Sequence, residues 1–185
     1  FKHITSVFVL DTDAELFHPD FKSQERLGQL LTQVAGRGGR GISSSEIFLQ
    51  TYYPNHPLLE KLTNSNYKEF LQEIAKEREI TSMPPFSFVT LIRANSVNEK
   101  NVVNFLNVVK KTAERIEPQS PQNQYLGPIP SMQEKRAGRY QYNFQIKTFT
   151  RSRMHILLTK LIEQLRKTKS YSNVRWSIDV DPIEL

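Results

Sequence analysis

Tyr140-Gln141-Tyr142-Asn143-Phe144-Gln145-Ile146-Lys147 alternates ring or branched apolar side chains with amides and one lysine. Successive side chains of a strand leave opposite faces of its sheet, so eight residues of strict alternation predict a β-strand with one buried face and one wet face. The period changes on either side of it. Downstream, Leu157, Leu158, Leu161, Ile162 and Leu165 share a helix face, and Val174, Trp176, Ile178 and Val180 alternate again. Upstream, Phe86 to Ala94 reads as a strand, and Val102, Val103, Phe105, Leu106 and Val109 mark a helix. Residues 118–123 are a polar loop. Leu126 to Met132 carries Pro128 and Pro130, which lack the N–H a ladder needs, so it is expected to be an irregular or edge strand.

The resulting order is βαββαβ, the split-βαβ or ferredoxin-like arrangement. Its start is set by Met83-Pro84-Pro85, since two prolines cannot extend a helix and hold the preceding residue extended. The expected domains are therefore 1–83 and 84–185. The first begins with the apolar run Ile4 to Leu10, which predicts a parallel strand covered on both faces. Pro19-Asp20 reads as a turn, and Asp20 or Ser23 as a helix cap. Leu27, Leu30, Leu31 and Val34 make one helix face, and Glu46 to Tyr52 a second strand. Leu58 to Leu62 reads as a short helix, and Tyr67, Phe70, Leu71 and Ile74 as a longer one reaching about Glu79. The fold class is α/β plus α+β, and the strand–helix–strand order fits the closing part of a RecA-like lobe, truncated.

Charge separates the two domains more sharply than composition does. The 185 residues carry a net charge of +6. Residues 1–80 hold nine Lys/Arg against eleven Asp/Glu, residues 81–185 sixteen against eight, and residues 134–175 eleven against two. That asymmetry points to an anionic partner for the second domain, nucleic acid first and an acidic protein tail second. The absence of cysteine excludes disulfides and cysteine-ligated zinc within these residues and suits the cytoplasm. No apolar run approaches the ~20 residues of a membrane span. A chain opening at Phe1 inside a strand is expected to be an excised fragment.

Gln33-Val34-Ala35-Gly36-Arg37-Gly38-Gly39-Arg40 ends the helical pattern with two arginines among glycines. Guanidinium groups stay charged and fit phosphate oxygens bidentately, while glycine lets backbone turn close to a ligand. The plain alternative is a helix end at Gly36 followed by a basic loop. The spacing Q-x-x-G-R-x-G-R is similar to the last motif of superfamily-two helicases. The longer string from Pro19-Asp20-Phe21-Lys22 through Arg40, with Val9-Leu10-Asp11-Thr12-Asp13 before it and Gln50-Thr51-Tyr52 after it, resembles the PriA family of primosomal replication-restart helicases. So does Val174-Arg175-Trp176-Ser177-Ile178-Asp179-Val180-Asp181-Pro182 at the other end.

The resemblance implies a full-length ATP-dependent 3′-to-5′ DNA helicase, bacterial, cytoplasmic and nucleoid-associated. It would bind branched or forked DNA and reload the replicative helicase with other primosome proteins. Arg40 would be the arginine finger, Arg37 a second phosphate contact, Gly36 part of the nucleotide-binding turn, and Gln33 the coupling residue. ATP and magnesium would bind the full-length protein, and zinc would be held by upstream cysteines. This chain has no G-x-x-x-x-G-K-[S/T] loop, so it is expected neither to hydrolyse ATP alone nor to bind these groups by itself. Within the second domain, Lys135, Arg136, Arg139 and Tyr140 are the expected DNA-binding loop, cations beside a ring being suited to a DNA backbone or a base. Arg151, Arg153 and His155 open a helix whose dipole gains nothing from positive charge there. The resemblance implies that they grip the acidic tail of single-stranded DNA-binding protein.

Other groups rank lower. Asp179 and Asp181 share a strand face, but a carboxylate pair without further donors is a poor metal site, and none is expected. Asp11 and Asp13 follow the end of a strand, and His18 and His56 have no partner visible in the sequence. Two rival readings remain: a non-catalytic nucleic-acid or partner adaptor, and a superfamily-two translocase acting on RNA.

Overall fold

The computed structural model describes residues 5–38, 46–64, 67–167 and 173–183, without the side chains of residues 36–38. The chain divides into two compact units, Phe1–Thr81 with Glu184–Leu185, and Ser82–Ile183.

In the first unit, strand β1 (Ser6–Val9) is followed by helices α1 (Thr12–Leu16) and α2 (Ser23–Gly38), strand β2 (Glu46–Leu49), and helices α3 (Pro57–Asn64) and α4 (Tyr67–Ile80). β1 and β2 pair in parallel, with Val7 opposite Ile47 and Phe8 opposite Phe48. The core gathers Leu16, Leu27, Leu31, Leu58, Leu59, Phe70 and Ile74. Gly28 is what lets α2 meet α4, because a Cβ there would lie 2.3 Å from the Phe70 ring. Asp20 starts α2: its Oδ1 accepts from Lys22 N at 3.3 Å, and its Oδ2 holds Arg26 at 2.7 Å. Arg78 ties the ends of α2 and α4 together by donating to Glu25 at 2.9 Å and to the carbonyl of Phe21 at 3.0 Å.

One expectation fails here. β1 is not covered on both faces: Phe8 is 66% exposed and stacks on Phe48 at 4.9 Å, and Leu10 is also exposed. Continuous apolarity cannot say whether a second layer is present. The α2 stripe is likewise narrower than its spacing implies, since Leu27 and Leu31 are buried while Leu30 is exposed. α2 also runs past Gly36 to Gly38 instead of stopping at the first glycine.

The second unit runs β3 (Phe88–Ser96), α5 (Glu99–Ile116), β4 (Asn123–Arg136), β5 (Arg139–Thr148), α6 (Arg151–Lys167) and β6 (Arg175–Val180). The strands form one antiparallel sheet in the order β4-β5-β3-β6, the split-βαβ pattern. Ile92, Phe144 and Ile146 of the sheet meet Val102, Leu106 and Val109 of α5 and Leu157 and Leu161 of α6 in one core. Fully burying such a side chain contributes about 1.5–3 kcal/mol before conformational entropy is subtracted. Asn98 caps α5, its Oδ1 accepting from Lys100 N at 2.9 Å. The proline-bearing strand is indeed at the edge, and its register slips between Leu126 and Ile129 and again between Pro130 and Lys135. Gly127 sits at the first slip with φ +120°, where a Cβ would come within 2.8 Å of the Asn143 carbonyl.

Candidate nucleic-acid and partner interfaces

The β4–β5 hairpin carries the basic loop. Arg136 and Arg139 pair across it, and the two residues between them, Ala137 at φ 47° and Gly138 at φ 75°, make the turn. Two positive φ values in a two-residue connection match the strand twist, which is why glycine is favoured there. Cα partners point to the same side of a sheet, and this separates the four predicted DNA contacts. Lys135 pairs with Tyr140, and its Nζ stands 4.7 Å from the centre of that ring. Tyr140 packs partly against the core, and Tyr142 is buried in it. Arg136 and Arg139 belong to the opposite face. The hairpin therefore does not present Lys135, Arg136, Arg139 and Tyr140 on one surface.

Arg139 is held in place. Its Nε donates to Asn95 Oδ1 at 2.6 Å and its Nη2 to the Asn95 carbonyl at 3.1 Å. Tyr142 donates its hydroxyl to Glu99, and this bond, followed by burial, pushes the phenol up to about 12. Tyr125 is pushed up to about 12 as well, by burial first and then by the charges of Glu117 and Glu114.

The three residues proposed for an acidic partner open α6, whose buried side is Met154, Leu157, Leu158, Leu161 and Leu165. Arg151 and His155 are exposed one turn apart. Arg151 reaches Asp181 at 3.2 Å and lies 5.2 Å over the Phe88 ring. Arg153 turns inward: its Nε is 3.8 Å from Glu117, and its Nη1 donates to Gln122. It ties the start of α6 to the segment leading into β4, so it is part of the scaffold more than of a surface.

In the first unit Gln33 is exposed on α2. Gly36 is in the last turn of α2, whereas the side chain of Arg37 and all of Arg40 lie outside the described residues. Asp13 accepts from the Thr51 hydroxyl and from Tyr52 N at 2.9 Å, so it stitches α1 to the segment after β2. His18 and His56 accept from the backbone N–H of Asp20 and Leu58, at 3.1 and 3.3 Å. These are local turn and helix-start bonds, which spacing in the sequence gives no means of seeing.

Asp179 and Asp181 are each paired with an arginine, Arg93 and Arg151. The chain has no cysteine, and the described residues contain no group of three or more His, Asp or Glu placed to hold a metal. No described helix is long and apolar enough to cross a membrane.

Comparison with known proteins bears on the whole chain. The family model of the primosomal protein N C-terminal domain matches residues 79–183. Replication restart protein PriA of Haemophilus influenzae is 37% identical over 185 residues, which is 100% of this chain and 25% of the relative. The proteins of the same name from a Synechocystis strain and from Bacillus subtilis are 32% and 31% identical, each over 98% of this chain and 21% and 22% of their own lengths. The chain thus spans about a quarter or less of the curated relatives it matches, at their C-terminal end. Among solved structures, a de novo designed protein, Foldit4, matches 52% of the chain at a TM-score of 0.39 and 14% identity. Full-length coverage at these identities, together with the domain match, places the chain in the PriA family of replication restart proteins.

Proposed function

We propose that the chain is the C-terminal part of an ATP-dependent 3′-to-5′ DNA helicase that recognises stalled or branched forks and restarts replication by primosome assembly. The observation that carries this reading is the alignment of all 185 residues with proteins named for replication restart, spanning both the arginine–glycine motif and the basic unit. The parallel β1–β2 pair with α2 between its strands supports reading the first unit as the end of a RecA-like lobe. In that reading Arg37 and Arg40 approach the terminal phosphate of ATP from across a cleft whose other wall belongs to the longer protein. Charge that develops on the transferring phosphoryl group is neutralised by such an arginine, an effect worth about 10³–10⁵ in rate. Gly36 lies in the last turn of α2, just before the motif's arginines, and Gln33 links the motif to the cleft.

The second unit supplies the DNA contacts and the grip on a partner. Arg151 and His155 are the accessible pair for an acidic tail such as that of single-stranded DNA-binding protein. The exposed Arg151–Asp181 pair costs little to exchange, since surface ion pairs contribute only about 0–1 kcal/mol. An incoming carboxylate could take the place of Asp181.

The decisive experiment is made in the longer protein. Arg40→Ala is expected to lower DNA-stimulated ATP turnover by about 10³ or more while leaving DNA affinity within a few-fold. Unchanged turnover would remove the motor role of this chain and leave the adaptor reading in its place.

A further inference from the structure

The face of the β4-β5-β3-β6 sheet turned away from α5 and α6 is polar and basic at one end. Alternation puts Ile92, Ala94, Phe144 and Trp176 toward the helices. It follows that Arg93, Asn95, Gln141, Asn143, Arg175 and Ser177 point the other way. Register lines them up in two rows. Arg175, Asn95 and Gln141 are directly opposite one another, and Ser177, Arg93 and Asn143 form the next row.

Arg26, Arg78, Arg93, Arg151 and Arg153 are each neutralised by a carboxylate. Arg139 and Arg175 differ. Among the described residues neither is in an ion pair, and Arg139 is bonded only to Asn95, which fixes its plane and leaves charge and further N–H groups to spare. Both line one open cleft of about 400 Å³, together with Ser96, Asn98, Asn101 and Asn173. Every polar side chain of the lining is a donor, its one apolar residue is Val97, and it contains no carboxylate. Glu99, the nearest acid of α5, is committed to Tyr142 on the helix side of the sheet.

We propose that this cleft and the adjoining rows bind the sugar–phosphate backbone of DNA, with Arg139 and Arg175 each contacting a phosphate and Gln141 and Asn143 contacting the strand beside them. The assignment rests on the DNA-binding reading of the second unit and names the surface that carries it. Paired guanidinium groups suit phosphate because each offers a planar fork of donors. The rows hold amides, a hydroxyl and arginines, with Ile129 beyond Asn143, but no aromatic ring on which an unpaired base would stack. Contacts of this kind position DNA without reading its sequence. The surface therefore fits a duplex arm of a fork.

The test uses the 185-residue chain and a forked DNA of fixed sequence, with affinity measured across a range of salt concentrations. Arg139→Gln with Arg175→Gln is expected to weaken binding by roughly 30-fold or more and to reduce the slope of log affinity against log salt by about 1.8, or 0.9 for each lost phosphate contact. Lys111→Gln with Lys160→Gln removes the same charge from the helices and is expected to change affinity less than about three-fold with the slope unmoved. Arg175→Lys should keep the slope. Equal losses in the two double variants would overturn the assignment, because net charge alone would then explain them. If the Arg139 change disturbs folding, Arg175→Gln alone decides: its slope falls by about 0.9 or the assignment is wrong. Absence of DNA binding by the unaltered chain would instead remove the broader reading of the second unit.

Discussion

Phe48 and Phe144 both lie on strands, yet the first is 45% exposed and the second is fully buried. The difference lies in what each sheet meets. Phe144 belongs to a four-stranded antiparallel sheet roofed by two long helices, where each strand contributes alternate residues to one core. Phe48 belongs to a two-stranded parallel pair, and its ring stacks on Phe8. A parallel sheet is ordinarily covered on both faces, so an uncovered pair is the physical sign of a fold that calls for further layers. The second unit closes its core with its own elements. Its remaining sheet face is polar at the end that carries Arg139 and Arg175, where a charged ligand can be met instead of a second apolar layer.

The contrast can be broken most forcefully through the cores. Phe144→Ala and Phe70→Ala should each cost about 3–5 kcal/mol, because each empties a fully buried ring site. If the units are independent, hydrogen exchange will show each loss confined to its own unit. A loss shared evenly by both would contradict the division at Thr81.

A smaller effect sharpens the comparison with pH. Tyr142 and Tyr125, both in the second unit, are held protonated up to about 12. A phenol whose folded pKa is raised contributes stability that is complete below the unfolded value of about 10 and is lost as pH rises through the folded value. The second unit should therefore lose stability between about pH 10 and 12. Tyr142→Phe should flatten part of that fall, at a cost of about 1–2 kcal/mol at neutral pH for the lost bond to Glu99. Ultraviolet titration should show Tyr142 and Tyr125 ionising late, with Tyr67 of the first unit also above the ordinary value through burial. Tyrosines that all ionise near pH 10 would contradict the burial of Tyr142 and Tyr125.

How much of this was legible follows from what side-chain period can encode. The strand Arg139–Thr148, the α5 and α6 stripes and the edge position of the proline-bearing strand were readable, because periodicity and a missing N–H act locally. Coverage of β1 was not, since a run of apolar residues reads the same whether a second layer exists or not. The basic hairpin was located correctly in sequence, but neighbours in sequence alternate between faces. Lys135 and Tyr140 thus part company with Arg136 and Arg139. Arg175 and Asn95 lie 80 residues apart in number, and only strand register brings them opposite each other. The tie between Arg153 and Glu117 is hidden for the same reason.

The claim that the second unit meets DNA through phosphates is tested most directly by titrating the 185-residue chain with forked DNA between about 50 and about 200 mM salt. Log affinity is expected to fall linearly with log salt at a slope of roughly −3 or steeper, as three or more neutralised phosphates require at about 0.9 each. Binding that ignores salt, or no binding at the lowest salt, would contradict it.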